Sequence, residues 1–563
     1  MAFTVWSSHP KQWALSENRI GSEAGGRGVR TRTYLVAALT AVLLGAAACS
    51  GQQGASSGAT PSGPPQRGGQ ITVLEDTGYT GSWPTGLDPA TNATGGANLP
   101  MMNSIYGGLF LLTANPDGSG AKVTPNQAES YKILDNGKTL KFKIRDGIKF
   151  SDGTDFTADA VAFNIKRDMK STCSCKPIWQ LAKKNPVSVE GGDTVVLHFA
   201  VPSASAINNI PIANVNWIAS PTALKKMGEK KFRVTPVGAG PFTVVSDRLS
   251  SELALKRNPT YFRKGLPYLD KLTFKSIGGD QAAYQALLAG QAQAYEGLNT
   301  IPLVDQAKKS GKITVTLEPP TSPYVIQLNT MRAPFNDIRA REAIYYATDF
   351  NAIAKGLFKN KYPVSQSFTA PGGLFYHQTV PGYRGPNLAK AKQLVQQVGG
   401  ITVTLGTLSN YVANQVDIAL QTQWRKAGIK VKIESYQLNQ LVQQFTGGKW
   451  QAMLQTAGAW DPATGVGVAF RFASTSPYTG VKDPKLDALL NKAAGVAAPA
   501  KRDKLYQQAG KYISDKAYAP FGLAFAPANL AVTGVYGPGL TTKIPAMAVN
   551  TQVLWDQVWR AKS

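Results

Sequence analysis

The stretch Thr124–Lys170, TPNQAESYKILDNGKTLKFKIRDGIKFSDGTDFTADAVAFNIKRDMK, places the tightest limits on what this chain can fold into. Asp135-Asn136-Gly137 supplies residues that tolerate positive φ. Leu140, Phe142 and Ile144 then alternate with Lys141, Lys143 and Arg145 at the period of a half-buried strand. Asp146-Gly147 and Ser151-Asp152-Gly153 add two turns. Thr157 is placed to cap a helix whose Val161, Ile165 and Met169 recur every four residues on one face. The order is hairpin, turn, helix, which is an α+β unit with a polar outer surface.

A chain of 563 residues, 43% hydrophobic and 17% charged, is long enough for several cores. Its formal net charge is +26. The basic residues are spread over strand edges and helix faces, with one modest cluster at Lys225, Lys226, Lys230, Lys231 and Arg233. No nucleic-acid-binding stripe is visible. The reading is a diffuse positive surface suited to anionic headgroups or wall polymers and to no nucleic-acid partner.

Residues 34–48 are an apolar run too short to span a bilayer, preceded by Arg27, Arg30 and Arg32 and ending in small residues before Cys49. Residues 1–48 read as a signal peptide, and LLGAAACS resembles a bacterial lipobox with Cys49 as the lipidated residue. Ala46 stands where that pattern most often has leucine, and cleavage without lipidation is the alternative. The polar stretch before Gly28 is longer than an export signal needs, which makes Val29 a candidate for the true start. Residues 49–68 read as a flexible linker rich in Ser, Gly, Gln and Pro, with a coil reach of about 20–25 Å. Gly54–Gly58 matches a nucleophile-elbow pattern but lacks its strand and helix, so no catalytic residue is assigned. Cys173 and Cys175 are one residue apart, too close for an unstrained pairing, and are not expected to hold the fold together. Neither His198 nor His377 has a ligand at metal spacing, so no metal and no cofactor is expected.

The ordered AES, DNGKT, RDGIKFSDG and TADAV segments closely resemble the extracytoplasmic solute-binding proteins of the peptide/nickel ABC-transporter family (family 5). Gly238–Phe242, Arg257–Phe262, Pro334–Asp337 with RAREAIYYATD, and Gly480–Leu490 resemble later segments of the same family. The resemblance implies an α/β fold of the two-lobed, flytrap-like, periplasmic-binding-protein type. Residues 69–108, 235–320 and 526–563 would form the core of lobe I, 109–234 an extra α+β domain inserted in it, and 321–525 lobe II. Independently, Ile401, Val403 and Leu405, then Val416, Leu420 and Trp424, then Ile429, Val431 and Ile433 trace a βαβ unit broken by Gly428. Asp280 to Glu296 reads as one helix, and Lys501–Ala519 as another.

Such proteins hold a solute between their lobes, which points to loops facing the cleft. Tyr79 and Trp83 lie in a Gly/Pro-rich loop, where ligand contact and lid packing are both open. Tyr324, Gln327 and Asn329 lie on an extended run, as hydrogen-bonding groups for a solute backbone or as ordinary ladder residues. Ala457–Pro462 resembles the family loop in which a carboxylate pairs with the α-amino group of a peptide. Asp461 is the candidate for that role, with an Asp-Pro turn as its alternative, and Trp460 either stacks on ligand or packs in a lobe core.

The resemblance implies no enzyme. It implies a monomeric lipoprotein, tethered to the outer face of the cell membrane, that captures oligopeptides or dipeptides and delivers them to ABC permease subunits. The alternatives are a non-peptide solute (nickel complex, oligosaccharide, opine or haem) and a surface sensor uncoupled from transport. Cys49→Ser should move the protein from the membrane fraction to the soluble extracytoplasmic fraction. Retention as complete as that of the wild type would exclude the tether.

Overall fold

The computed structural model describes residues 63–562, apart from 79, 93–94, 117–119, 172–179, 464–466, 526 and 546–551. Cys49, Tyr79, Cys173 and Cys175, the export segment and most of the linker lie outside the described residues. No described helix is long and apolar enough to cross a membrane.

Ala128–Leu134 and Thr139–Ile144 pair antiparallel, with Leu134 opposite Thr139. The turn between them uses left-handed backbone at Asn136 (φ 52°) and Gly137 (φ 87°), the conformations that Asn and Gly adopt most readily. Leu140, Phe142 and Ile144 point into a core they share with Val161 and Ile165. Those two residues come from the helix Ala158–Lys170, where the Thr157 hydroxyl accepts from the Ala160 amide at 3.2 Å. Met169 packs at the margin of this core. Val187–Glu190 and Thr194–His198 complete a four-stranded antiparallel sheet.

Two larger sheets carry the rest. The seven-stranded one has the order Ile313–Leu317, Ala528–Val532, Ala294–Leu298, Gln70–Asp76, Lys271–Ile277, Glu252–Arg257, Phe242–Arg248. Its central pair, Gln70–Asp76 beside Lys271–Ile277, is parallel. The single helix read over Asp280–Glu296 needs correction, because the helix stops at Leu288 and Ala294–Leu298 is a strand beside Gln70–Asp76. Gly290, at φ 72°, turns the chain out of the helix.

The five-stranded sheet runs Ile429–Tyr436, Ile401–Leu408, Ala452–Thr456, Ser322–Leu328, Phe521–Phe525. Ile401–Leu408, the helix Tyr411–Lys426 and Ile429–Tyr436 form the expected parallel βαβ unit. Val416, Leu420 and Trp424 are fully buried in the core beneath the sheet. The late helix spans Pro499–Asp515 rather than reaching Ala519, since the chain must turn to enter the strand Phe521–Phe525. The two large sheets with their helices are the lobes of an α/β flytrap. The four-stranded unit is fastened to the seven-stranded lobe by a buried ion pair, in which Arg167 reaches both oxygens of Asp88 at 2.7 and 2.6 Å.

Asp417, on the inner face of Tyr411–Lys426, is a buried carboxyl with no ion-pair partner among the described residues. Burial raises its pKa to about 7, and the nearby Thr407 hydroxyl only partly offsets this. A carboxyl held above its unfolded value near 3.9 favours folding fully below that value and loses this contribution as pH rises toward about 7. Asp417→Asn removes the penalty. The variant should gain stability relative to wild type as pH rises from about 4 to 7, by about 1–3 kcal/mol, and no further above that. Urea titrations at several pH values check this; a difference that is constant with pH contradicts it.

Candidate functional site

The seam between the lobes is built around the loop that follows the strand Ala452–Thr456. Gly458 occupies a position that no other residue fits: its φ is 125°, and an added Cβ would lie 2.2 Å from the Phe368 carbonyl oxygen. The Ser322 hydroxyl donates to the Gly458 carbonyl at 2.6 Å, and the Leu374 amide donates to the Trp460 carbonyl at 2.6 Å. Held in this way, Trp460 is almost fully buried against Leu112 and Ala121, on the hairpin Phe110–Ala114 with Ala121–Pro125. Trp460 thus packs across the seam rather than inside its own lobe.

Asp461 is completely buried. Arg502 Nη2 donates to its Oδ1 and Oδ2 at 2.7 and 3.0 Å. The Ala463 amide donates to Oδ1 at 2.9 Å, closing the Asx turn that an Asp-Pro step favours. Asn208, from the inserted domain, donates to Oδ2 at 2.6 Å. Two carboxylate oxygens offer about four acceptor positions in all. Protein donors fill them here, and an α-ammonium group would have to displace Asn208 or Arg502. Arg502 also lies over the rings of Phe375 and Tyr506, 5.0 and 5.6 Å from their centroids. Burial opposes its charge, but the neighbouring Asp461 carboxylate raises its pKa above the ordinary value. Two further bridges cross the seam beside this group: Asn209 Nδ2 to the Ala463 carbonyl at 3.1 Å, and Ser205 through its amide and hydroxyl to the Ala494 carbonyl at 3.2 and 3.1 Å.

The other candidates lie elsewhere. Trp83 is buried in the core of the seven-stranded lobe, its indole N–H donating to Asp247 at 2.9 Å. Burial raises the Asp247 carboxyl to about 6, against the effect of that hydrogen bond. Tyr324 packs on Phe525 in the core of the five-stranded lobe, where burial raises its pKa. Gln327 Nε2 donates to the Arg471 and Tyr478 carbonyls at 2.8 and 2.7 Å, and Asn329 Nδ2 to the Trp450 carbonyl at 2.9 Å. These side chains pin loops of one lobe to its sheet, and the structure does not bring them to the seam. Trp460 and Asp461 alone of the described candidates are there, with Asn208, Asn209 and Arg502, which sequence reading missed. Among the described residues no group of three or more His, Cys, Asp or Glu side chains is arranged to hold a metal.

Two α/β lobes joined at a seam bridged by side chains from both are the architecture of a two-lobed binding protein. A family model described as "Bacterial extracellular solute-binding proteins, family 5 Middle" matches residues 122–478. The chain belongs to that family. It is similar to the glutathione-binding protein GsiB of Shigella boydii serotype 4, at 29% identity over 449 residues, 76% of this chain and 84% of that protein. Its fold matches that of the ABC transporter-associated periplasmic binding protein DppA from Helicobacter pylori in complex with the peptide STSA. The TM-score is 0.75 at 21% identity, covering 88% of this chain and 99% of that one. AgaA from A. tumefaciens R10, in complex with agropinic acid, matches with a TM-score of 0.73 at 21% identity, over 88% and 99%.

Arg502→Ala should destabilise the protein by about 3–5 kcal/mol, because Asp461 is left buried without its counter-charge. Asp461→Asn should also lower stability before any solute is added, unlike an aspartate that serves only a ligand. Chemical denaturation of the solute-free variants measures both effects, and an unchanged midpoint in either would contradict a structural ion pair.

Proposed function

We propose that the protein is a lipid-anchored receptor, tethered through Cys49, that captures short peptides outside the cell and passes them to the permease of an ABC importer. The role is capture and delivery without covalent chemistry. The observation that carries this reading is the seam, where the Trp460 loop of one lobe meets the hairpin and Asn208 of the other, so that a solute between them touches both. Binding closes the lobes when the closed arrangement gains contacts with the solute that the open one lacks. Asn208 to Asp461, Asn209 to Ala463 and Ser205 to Ala494 join the lobes directly and add to the stability of the arrangement in which they meet.

The peptide assignment draws support from GsiB, named for a small peptide thiol, and from a shared fold with a protein that binds STSA. In this reading Trp460 is the apolar contact that seals the seam against the hairpin. Asp461 acts with Arg502 as the group on which the inserted domain closes, and Tyr79 remains a candidate contact.

Isothermal titration of the purified chain with glutathione and with dipeptides to pentapeptides tests the assignment. At least one of these should bind with a Kd in the micromolar range or below. Asn208→Ala should weaken that binding about tenfold, the equivalent of about 1.5 kcal/mol for a hydrogen bond to a charged group. If no peptide binds, the solute belongs to another class; if peptides bind and Asn208→Ala has no effect, the closing role of the Asn208–Asp461 bridge is wrong.

A further inference from the structure

Adjacent residues of a strand point to opposite faces. In the hairpin that meets Trp460, Leu112 therefore faces the seam while Leu111 and Thr113 face away from it. On that far side lies a cavity of about 370 Å³, within the range of small-molecule sites. Every residue that lines it belongs to the inserted domain or the seven-stranded lobe, so it is separate from the seam.

Two arginines line this cavity, Arg145 and Arg263. Arg263 is set in place by Asp556, to which its Nη1 donates at 2.7 Å. Asp556 is also an acceptor for the Tyr261 hydroxyl at 3.2 Å. Arg145 is different. Its Nε donates to the Asn126 carbonyl at 3.1 Å, which fixes the plane of the guanidinium, yet no carboxylate among the described residues pairs with it. A guanidinium carries five N–H donors, and one of Arg145's is used in this way. In the same lining the Thr113 and Thr124 hydroxyls share one hydrogen bond at 2.6 Å, leaving the second hydroxyl hydrogen of the pair for another acceptor. Phe262 and Leu111 supply apolar surface. Fixed guanidinium forks, a spare hydroxyl donor and an apolar wall match a planar or tetrahedral oxyanion on a small body, the geometry for which arginine is better suited than lysine.

We propose that this cavity is a second binding site, for a small molecule or headgroup bearing a carboxylate or phosphate, held between Arg145 and Arg263. The site is independent of the solute seam and of the peptide assignment.

The test uses the full chain carrying Cys49→Ser, so that no lipid anchor contributes, and titrates it at low ionic strength with inorganic phosphate and with citrate. Saturable binding is expected, weakened at least tenfold by Arg145→Ala and less by Arg145→Lys, which keeps the charge without the fork. Arg145→Gln replaces Arg145→Ala should the latter fail to fold. Vesicles of phosphatidylglycerol in phosphatidylcholine distinguish the source. Co-sedimentation lost in the Arg145 variant assigns the site to a lipid headgroup, and binding of soluble anions without co-sedimentation assigns it to a free solute. The proposal is overturned if neither anion nor vesicles bind, or if the wild type and the Arg145 variants bind alike, which would mean adventitious attraction to a basic surface.

Discussion

The architecture depends on one paired crossing. Ile313–Leu317 and Ala528–Val532 are antiparallel neighbours in the seven-stranded sheet, and their continuations, Ser322–Leu328 and Phe521–Phe525, are neighbours in the five-stranded sheet. Among the described residues, the chain passes between the two large sheets at these two adjacent places. Backbone donors and acceptors in the four strands on either side are already committed to ladders. The link after Leu317 is itself restrained: Glu318 accepts from the Ile544 amide at 2.8 Å, and Gly372 lies so close to Pro319 that a Cβ there would approach within 2.7 Å. Away from this crossing the lobes meet again where Asn208 donates to Asp461.

The joints share a chemistry. Asp88 with Arg167 fastens the inserted domain to its lobe, and Asp461 with Arg502 stiffens the loop that faces it. Both aspartates are completely buried and both arginines nearly so. Buried pairs of this kind contribute little net stability, because removing both charges from water offsets most of their attraction. Their geometric demand is strict, however, since either group without its partner is an uncompensated charge. The pairs therefore set where one unit sits on another more than how strongly it is held. Elsewhere in the interior burial pushes the Glu75 carboxyl well above the usual range, and the neighbouring Glu296 adds to the effect.

The seam is built from both lobes. Trp460 and its hairpin partners form a contact that exists only when both lobes take part, and the hydrogen bonds beside it cross the same boundary. The hairpin has a further property. One of its faces meets the other lobe, while the other looks onto the two-arginine cavity, so both surfaces are displayed by a single pair of strands.

The hairpin at Asp135–Gly137, the capped helix after Thr157 and the βαβ unit from Ile401 to Tyr436 were legible in the sequence, because each depends on neighbours within a few residues: turn chemistry, a cap, and the period of apolar side chains. The fold class followed from the resemblance of ordered segments such as RDGIKFSDG and TADAV to family 5, which local periodicity by itself does not supply. The helix read over Asp280–Glu296 was right in its first half: it ends at Leu288, a turn at Gly290 follows, and the last three residues of the span open the strand Ala294–Leu298, which pairs with Gln70–Asp76. The site was least legible. Trp460 and Asp461 stood out by residue type, but Arg502 is 41 positions and Asn208 253 positions away from Asp461, and no local pattern links them. Gln327 and Asn329 have the same hydrogen-bonding groups wherever the chain puts them. Their partners are carbonyls of distant loops, so only the tertiary structure decided that these side chains brace a lobe while Asn208 reaches across the seam.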